Sequence, residues 1–150
     1  MPNGNVGEYH FVHSKGSVFV VPQLEDDLFV LVRQMRYLNQ RVSVEFPGGG
    51  VEPQLSRPLN AARELAEEAG LRAGDLRTLG EFNPYNGVTN EICTVFLARD
   101  LKREERAHDE SEEFDIVQWS GARIDEAVRS GELWDGMTLA AWSLFKTCAP

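Results

Sequence analysis

The sequence predicts an α+β fold, and three observations carry that expectation. Short runs rich in Val, Ile and Phe, bounded by Pro, Gly, Asn and Asp, lie on both sides of one acidic, amphipathic helical stretch. Two further helical stretches follow near the C-terminus, at 120–130 and 137–146. Strands and helices show no regular βαβ alternation, so a mixed β-sheet sandwiched between α-helices is expected. No internal repeat, low-complexity segment or linker interrupts the 150 residues. That length suits one domain with a sizeable core, and 1–150 is read as a single domain.

Residues 1–8 hold Pro, Asn and Gly and read as a loose tail. Residues 9–13 suggest a short edge strand, with His10 and His13 alternating on it in a structural role. Ser-Val-Phe-Val-Val at 17–21 is an apolar strand ended by Pro22, and Glu25-Asp26-Asp27 supplies turn chemistry. Residues 28–33 form the return strand of the resulting hairpin. Residues 36–41 read as a loop and 42–46 as a strand, after which Pro47 turns the chain into a glycine loop at 48–50. Beyond the acidic helix, 72–75 read as a turn. Strands follow at 78–82 and 92–98, joined by a loop. A polar run at 100–112 precedes a strand at 114–119. Ser120 opens a helix that Gly131 stops, and an apolar helix closes the chain.

Apolar residues make up 42% and charged residues 26% of the chain, the balance of a globular protein. The formal net charge is −9. An acidic surface repels the nucleic-acid backbone, whose phosphates supply most affinity for long polymers, so long RNA or DNA is not an expected partner. A small anionic substrate is compatible if a bound cation carries the positive charge. Cys93 and Cys148 lack metal-type spacing; Cys93 lies in an apolar strand pattern and Cys148 reads as a free thiol. The pair suits a reducing, cytoplasmic compartment. Neither a run of about 18 apolar residues nor a charged-then-apolar leader occurs, so a membrane span or secretion is not expected.

The chemistry concentrates in 48–71. Leu59, Ala62, Leu65, Ala66 and Ala69 recur at helical spacing and form an apolar stripe. Glu64 and Glu68 are four apart, one turn from each other on one face, and Glu67 flanks them. Like charges at this spacing cost a helix about 0.2–0.5 kcal/mol per pair, so the cluster favours a cation. With no His or Cys nearby, hard Mg²⁺ or Mn²⁺ suits the carboxylates better than zinc. The competing interpretation is a solvated acidic face. Gly70 is placed to end the helix in the left-handed conformation. The glycines at 48–50 let backbone approach a phosphate closely, though a plain turn has the same composition.

Arg63-Glu64-Leu65-Ala66-Glu67-Glu68-Ala69-Gly70-Leu71 fits the pattern Arg-Glu-apolar-x-Glu-Glu-x-Gly-apolar at every fixed position, and Gly49 stands at the upstream distance the full pattern requires. On these residues the chain resembles a Nudix hydrolase. One position departs: the full box has a glutamate where this chain has Leu55, a residue that in the family mainly braces the loop. The flanks Val32-Arg33-Gln34-Met35-Arg36-Tyr37, Glu45-Phe46-Pro47-Gly48-Gly49 and Gly131-Glu132-Leu133-Trp134-Asp135-Gly136-Met137-Thr138-Leu139 are similar to those of ADP-ribose and nucleoside-diphosphate-sugar pyrophosphatases.

The resemblance implies a mixed sheet between helices and metal-dependent hydrolysis of a diphosphate. It implies Gly48 (through its carbonyl), Glu64, Glu67 and Glu68 as metal ligands, with Glu67 and Arg63 also among the catalytic residues. Arg63 either hydrogen-bonds the box loop or pairs with Glu67. Arg33, Arg36, Glu45, Gly49, Gly50 and Glu91 are implied on the substrate side. In the acidic loop at 108–113 the resemblance puts Glu110 at the base position and Glu112 at that of a further metal ligand, with Glu112 the first choice for general base and Glu110 the second. The substrate implied is a small nucleotide sugar, and the assembly a homodimer, its contact drawn from apolar residues of the first fifty positions or from Trp134 and Trp142. ADP-ribose-specific members carry a proline near the position of Gly87, whereas this chain has Pro84 three residues earlier; the sugar nucleotide therefore stays open. Nucleoside triphosphates, dinucleoside polyphosphates or RNA 5′ ends are the alternative substrates, and a non-catalytic nucleotide sensor the alternative role.

Overall fold

Strand β1 (Ser17–Pro22) is buried along its whole length, and its two faces serve two different helices. Val18 and Val20 pack with Ala61, Leu65 and Ala69 of helix α1 (Arg57–Ala69). Phe19 and Val21 join a second cluster with Ile124 and Ala127 of α2 (Gly121–Ser130) and with Ala141 and Trp142 of α3 (Gly136–Cys148). A strand covered on both sides reads as an unbroken apolar run, which is what Ser-Val-Phe-Val-Val is. The computed structural model describes residues 4–25, 27–104 and 115–148.

The remaining strands are β2 (Leu28–Arg36), β3 (Arg41–Glu45), β4 (Gly48–Gly50), β5 (Leu71–Phe82), β6 (Cys93–Arg103) and β7 (Asp115–Ser120). They form a four-stranded mixed sheet in the order β4-β1-β6-β5 and a three-stranded antiparallel sheet in the order β3-β2-β7. Within the first, β1 runs parallel to β6 and antiparallel to β4. The expected α+β architecture of sheet between helices is present.

Four local expectations are corrected. Strands β1 and β2 do not form a hairpin ladder; they belong to different sheets, linked across the turn by a single bridge between Gln23 and Phe29. The segment 9–13 is not a strand but makes one bridge, Val12 to Thr89. The glycines at 48–50 are strand β4, paired with Ser17, Val18 and Phe19, rather than a loop. The turn expected at 72–75 lies inside the long strand β5, where a Cβ on Gly74 would stand 2.9 Å from that of Asp100. The glycine there serves close approach of two strands, not a reversal.

Helix α1 begins with a proline in its first turn, and Ser56 at the N-cap makes no side-chain capping bond. It ends at Gly70, φ 64°, in the left-handed conformation expected. Ser120 caps α2 by accepting the Arg123 N–H at 3.2 Å, and Asp135 caps α3 by accepting the Thr138 N–H at 2.7 Å. Thr138, fully buried, in turn accepts the Phe46 N–H at 3.1 Å and ties α3 to the segment that leads into β4. Trp142 lies in the core, edge-on to Phe29 with ring centroids 5.1 Å apart. It is therefore not available as a dimer contact. Trp134 donates to the Val42 carbonyl and lies under the Arg41 guanidinium.

Candidate active site

The face of α1 turned to the sheet is Asn60, Ala61, Glu64, Leu65, Glu68 and Ala69. This rotation differs from the stripe read from spacing: Leu59 is 58% exposed, and Ala62 also faces solvent. The helix buries Glu64 and Glu68 instead, which rules out a wholly solvated acidic face. Carboxylates are seldom buried without a compensating partner.

Strand β4 meets them. The Gly48 N–H donates to Glu68 Oε2 at 2.9 Å. A Cβ on Gly49 would stand 2.6 Å from Glu64 Oε1, and one on Gly48 would collide with Phe19 and the Val18 carbonyl at 2.5 Å. Position 48 needs glycine for space, because backbone and a buried ring block a side chain there, whereas a side chain at 49 would have to displace the Glu64 carboxylate. Gly50 has no atom within 4 Å of such a Cβ, so packing does not demand glycine there.

Arg63 binds three acids. Its guanidinium donates to Glu64 Oε1 and to Glu67 Oε2, each at 2.5 Å, and its Nε lies 3.5 Å from Glu52 Oε1. A longer bond of 3.4 Å reaches the Gly50 carbonyl. Arg63 thus makes both of the contacts read as alternatives for it, one to the Gly50 carbonyl and one to Glu67. Partial burial pulls its pKa down, but the Glu64, Glu67 and Glu52 charges outweigh that and hold it above the usual arginine range.

Arg36 and Glu45 pair across β2 and β3 of the three-stranded sheet. Glu45 is almost wholly buried and makes an ion pair with Arg36; Gln34 also donates to it at 3.4 Å. The bond to Glu45 raises the Arg36 pKa against the pull of burial, with further help from the charges of Glu45, Asp135 and Glu68. Of the box acids, only Glu68 is among the charges that raise it. Arg33, an odd number of residues away, projects from the other face of β2 and pairs with Asp115 at 2.7 Å. Glu91 sits in the loop before β6, whose backbone is held by Asn83 and Thr89. Glu110 and Glu112 lie outside the described residues.

The donor set is chemically right for a hard divalent ion. Glu64, Glu67, Glu68 and the Gly48 carbonyl offer only oxygen. Among the described residues no three Asp, Glu, His or Cys side chains already converge as a finished cage. Spacing did not single out Glu52, Asn60, Asp135 or Thr138. The one available signal was Asn60, a polar residue set between Leu59 and Ala61-Ala62.

The NUDIX domain family profile matches residues 13–135. The chain belongs to the NUDIX domain family. Among curated relatives, this Nudix chain is 32% identical over 143 residues to an ADP-ribose pyrophosphatase of Bacillus subtilis (strain 168), covering 94% of this chain and 77% of the relative. It is 29% identical over 146 residues to a methanol dehydrogenase activator of Bacillus methanolicus, with the same coverages of 94% and 77%. A crystal structure of an ADP compounds hydrolase superposes with a TM-score of 0.80 at 26% identity, over 87% of this chain and 70% of that one. The chain is a Nudix hydrolase. No described helix is long and apolar enough to cross a membrane.

Proposed function

We propose that this Nudix hydrolase, as one domain over 1–150, splits the diphosphate of a nucleoside diphosphate sugar into a nucleoside monophosphate and a sugar phosphate. The observation that carries the reading is the burial of Glu64 and Glu68 against Gly48 and Gly49, in a chain similar to a named ADP-ribose pyrophosphatase. A fold alone hosts many activities, so the assignment rests on this site.

In the reaction, water attacks one phosphorus and the bond from that phosphorus to the bridging oxygen breaks. The bridging oxygen leaves with the other phosphate, and the proton of the water passes to Glu112 or, second, Glu110. Glu64, Glu67, Glu68 and the Gly48 carbonyl would hold Mg²⁺ or Mn²⁺, which when bound neutralises the diphosphate oxygens and makes the water more acidic. Arg36, oriented by Glu45, meets the negative charge of the substrate, and the bare backbone of Gly49 and Gly50 admits it closely. Glu91 is assigned to the substrate side. Arg33 is not, because it faces Asp115. The proposal includes a homodimer and a cytoplasmic location; the latter fits two unpaired cysteines.

A panel of nucleoside diphosphate sugars, nucleoside triphosphates, dinucleoside polyphosphates and capped RNA 5′ ends, incubated with Mg²⁺ or Mn²⁺, tests it. Monophosphate release from one or more sugar nucleotides, with the other classes slower, is expected. Turnover of none, or faster turnover of triphosphates, overturns the assignment.

A further inference from the structure

Asn60 is fully buried in the second turn of α1, yet its side chain bonds to the segment before the helix. Its Oδ1 accepts the Glu52 N–H at 2.8 Å. Its Nδ2 donates to three carbonyls, those of Glu52 at 3.3 Å, Leu55 at 3.2 Å and Ser56 at 3.1 Å. One amide therefore holds both ends of 52–56.

The surroundings supply few substitutes. Ser56 makes no capping bond, and Leu55, at the place where the box pattern has glutamate, has no polar side-chain group. Upstream, Val51 is tied to the Gly16 carbonyl. Within 52–56 the other hydrogen bonds are local: Leu55 N–H to the Glu52 carbonyl, the Gln54 amide to the Glu52 carboxylate, and the Asn60 backbone N–H to the Ser56 carbonyl at 3.0 Å, which holds only the helix end of the segment.

The held residue leads to the box acids. Glu52 Oε1 lies 3.5 Å from Arg63 Nε, and Arg63 bridges Glu64 and Glu67. Moving the Glu52 backbone shifts the acid behind Arg63, and with it the guanidinium that competes for the two carboxylates. We propose that Asn60 is a positioning residue for the metal-binding carboxylates. It acts through Glu52 and Arg63, and carries the loop-bracing task that Leu55 cannot perform. The inference rests on the Nudix reading of Glu64, Glu67 and Glu68.

The test uses the full chain and Mn²⁺ alone, with affinity read by electron paramagnetic resonance and amide exchange at Glu52 read without metal. Removing an outer partner of a metal ligand typically costs about 10–100-fold in affinity, and Asn60→Ala is expected to weaken Mn²⁺ binding by at least about tenfold. The Glu52 amide should exchange faster, because its acceptor is gone. Glu52→Ala in the Asn60→Ala background should add less than about twofold, since both changes act on one path. Asn60→Asp keeps the acceptor but turns an oxygen toward three carbonyls; it should weaken binding similarly and serves if the alanine variant does not fold. Unchanged Mn²⁺ affinity beside a lowered melting temperature, or fully additive effects of the two substitutions, overturns the proposal. Absence of Mn²⁺ binding by the unsubstituted protein overturns the metal reading as well, whereas tight binding there with no effect of Asn60→Ala defeats the positioning role alone.

Discussion

The Gly48 N–H donates to Glu68 Oε2 at 2.9 Å, so a strand of the mixed sheet and the acidic face of α1 share one carboxylate. A glutamine at 68 can still accept that bond through its amide oxygen but carries no charge. Glu68→Gln is expected to lower turnover by more than about 100-fold, above what an outer-shell partner is worth. The melting temperature should stay within about 4 °C, the shift for roughly 1 kcal/mol in a domain of this size. Full activity in the variant removes Glu68 from the metal set.

Thr138→Val replaces a hydroxyl by a methyl of nearly the same shape. It leaves the Phe46 N–H without its acceptor in a site closed to water. The expected loss is about 1–3 kcal/mol, read from the urea midpoint at constant slope. Because the Phe46 strand end leads directly into Gly48, kcat/KM should fall too; a variant with native stability contradicts the buried bond.

The two arginines of β2 should separate cleanly. Arg33→Ala breaks an exposed ion pair with Asp115 and is expected to cost no more than about 1 kcal/mol. Arg36→Ala strands the buried Glu45 carboxylate, which for a wholly buried pair costs about 3–5 kcal/mol; the half-exposed guanidinium places this case below that range. Titration with a sugar nucleotide should show KM raised for Arg36→Ala and little changed for Arg33→Ala. Equal effects of both would remove Arg36 from the substrate side.

Burial pushes the Cys93 thiol from its ordinary 9.0 up to about 11. The folded state then holds this proton more tightly than the unfolded chain does. The contribution is full below pH 9 and is lost as pH rises toward about 11. Stability should decline across that window, and less so in Cys93→Ala. At pH 8 a thiol reagent should titrate Cys148, which is exposed, and reach Cys93 only in denaturant. Rapid labelling of both in the native protein contradicts the burial.

The β2–β3 turn carries Tyr37 at 85% and Leu38 at 101% exposure, with Met35 and Val42 beside them about half exposed. If this apolar cluster is the dimer contact, Leu38→Glu should halve the mass measured by light scattering. An unchanged mass assigns the contact elsewhere.

Much of this was legible in the residues. Glycine and proline punctuation marked β1, β2, α1 and α2, because those residues restrict or free the backbone locally. The rotation of α1 was not legible. Leu59 and Ala62 belong to the apolar pattern, but the helix turns them outward so that Glu64 and Glu68 meet the glycine strand, a preference set by a partner distant in sequence. The start of β5 was missed because Gly74 and Asp75 have turn composition. Their true constraint is Asp100 across the ladder, which occupies the space a side chain would need. Arg33 and Arg36 look equivalent in a string of letters; strand alternation separates them.

Strand β1 has one ladder partner, β4, some thirty residues on, and the other, β6, more than seventy residues on. During synthesis its Val-Phe-Val-Val run must therefore emerge long before β6 is available to zip alongside it. Non-local parallel pairing is slow to form, and unsatisfied strand edges invite self-association meanwhile. Expression yield should thus depend on growth temperature and chaperone supply more than the stability of the finished domain would suggest.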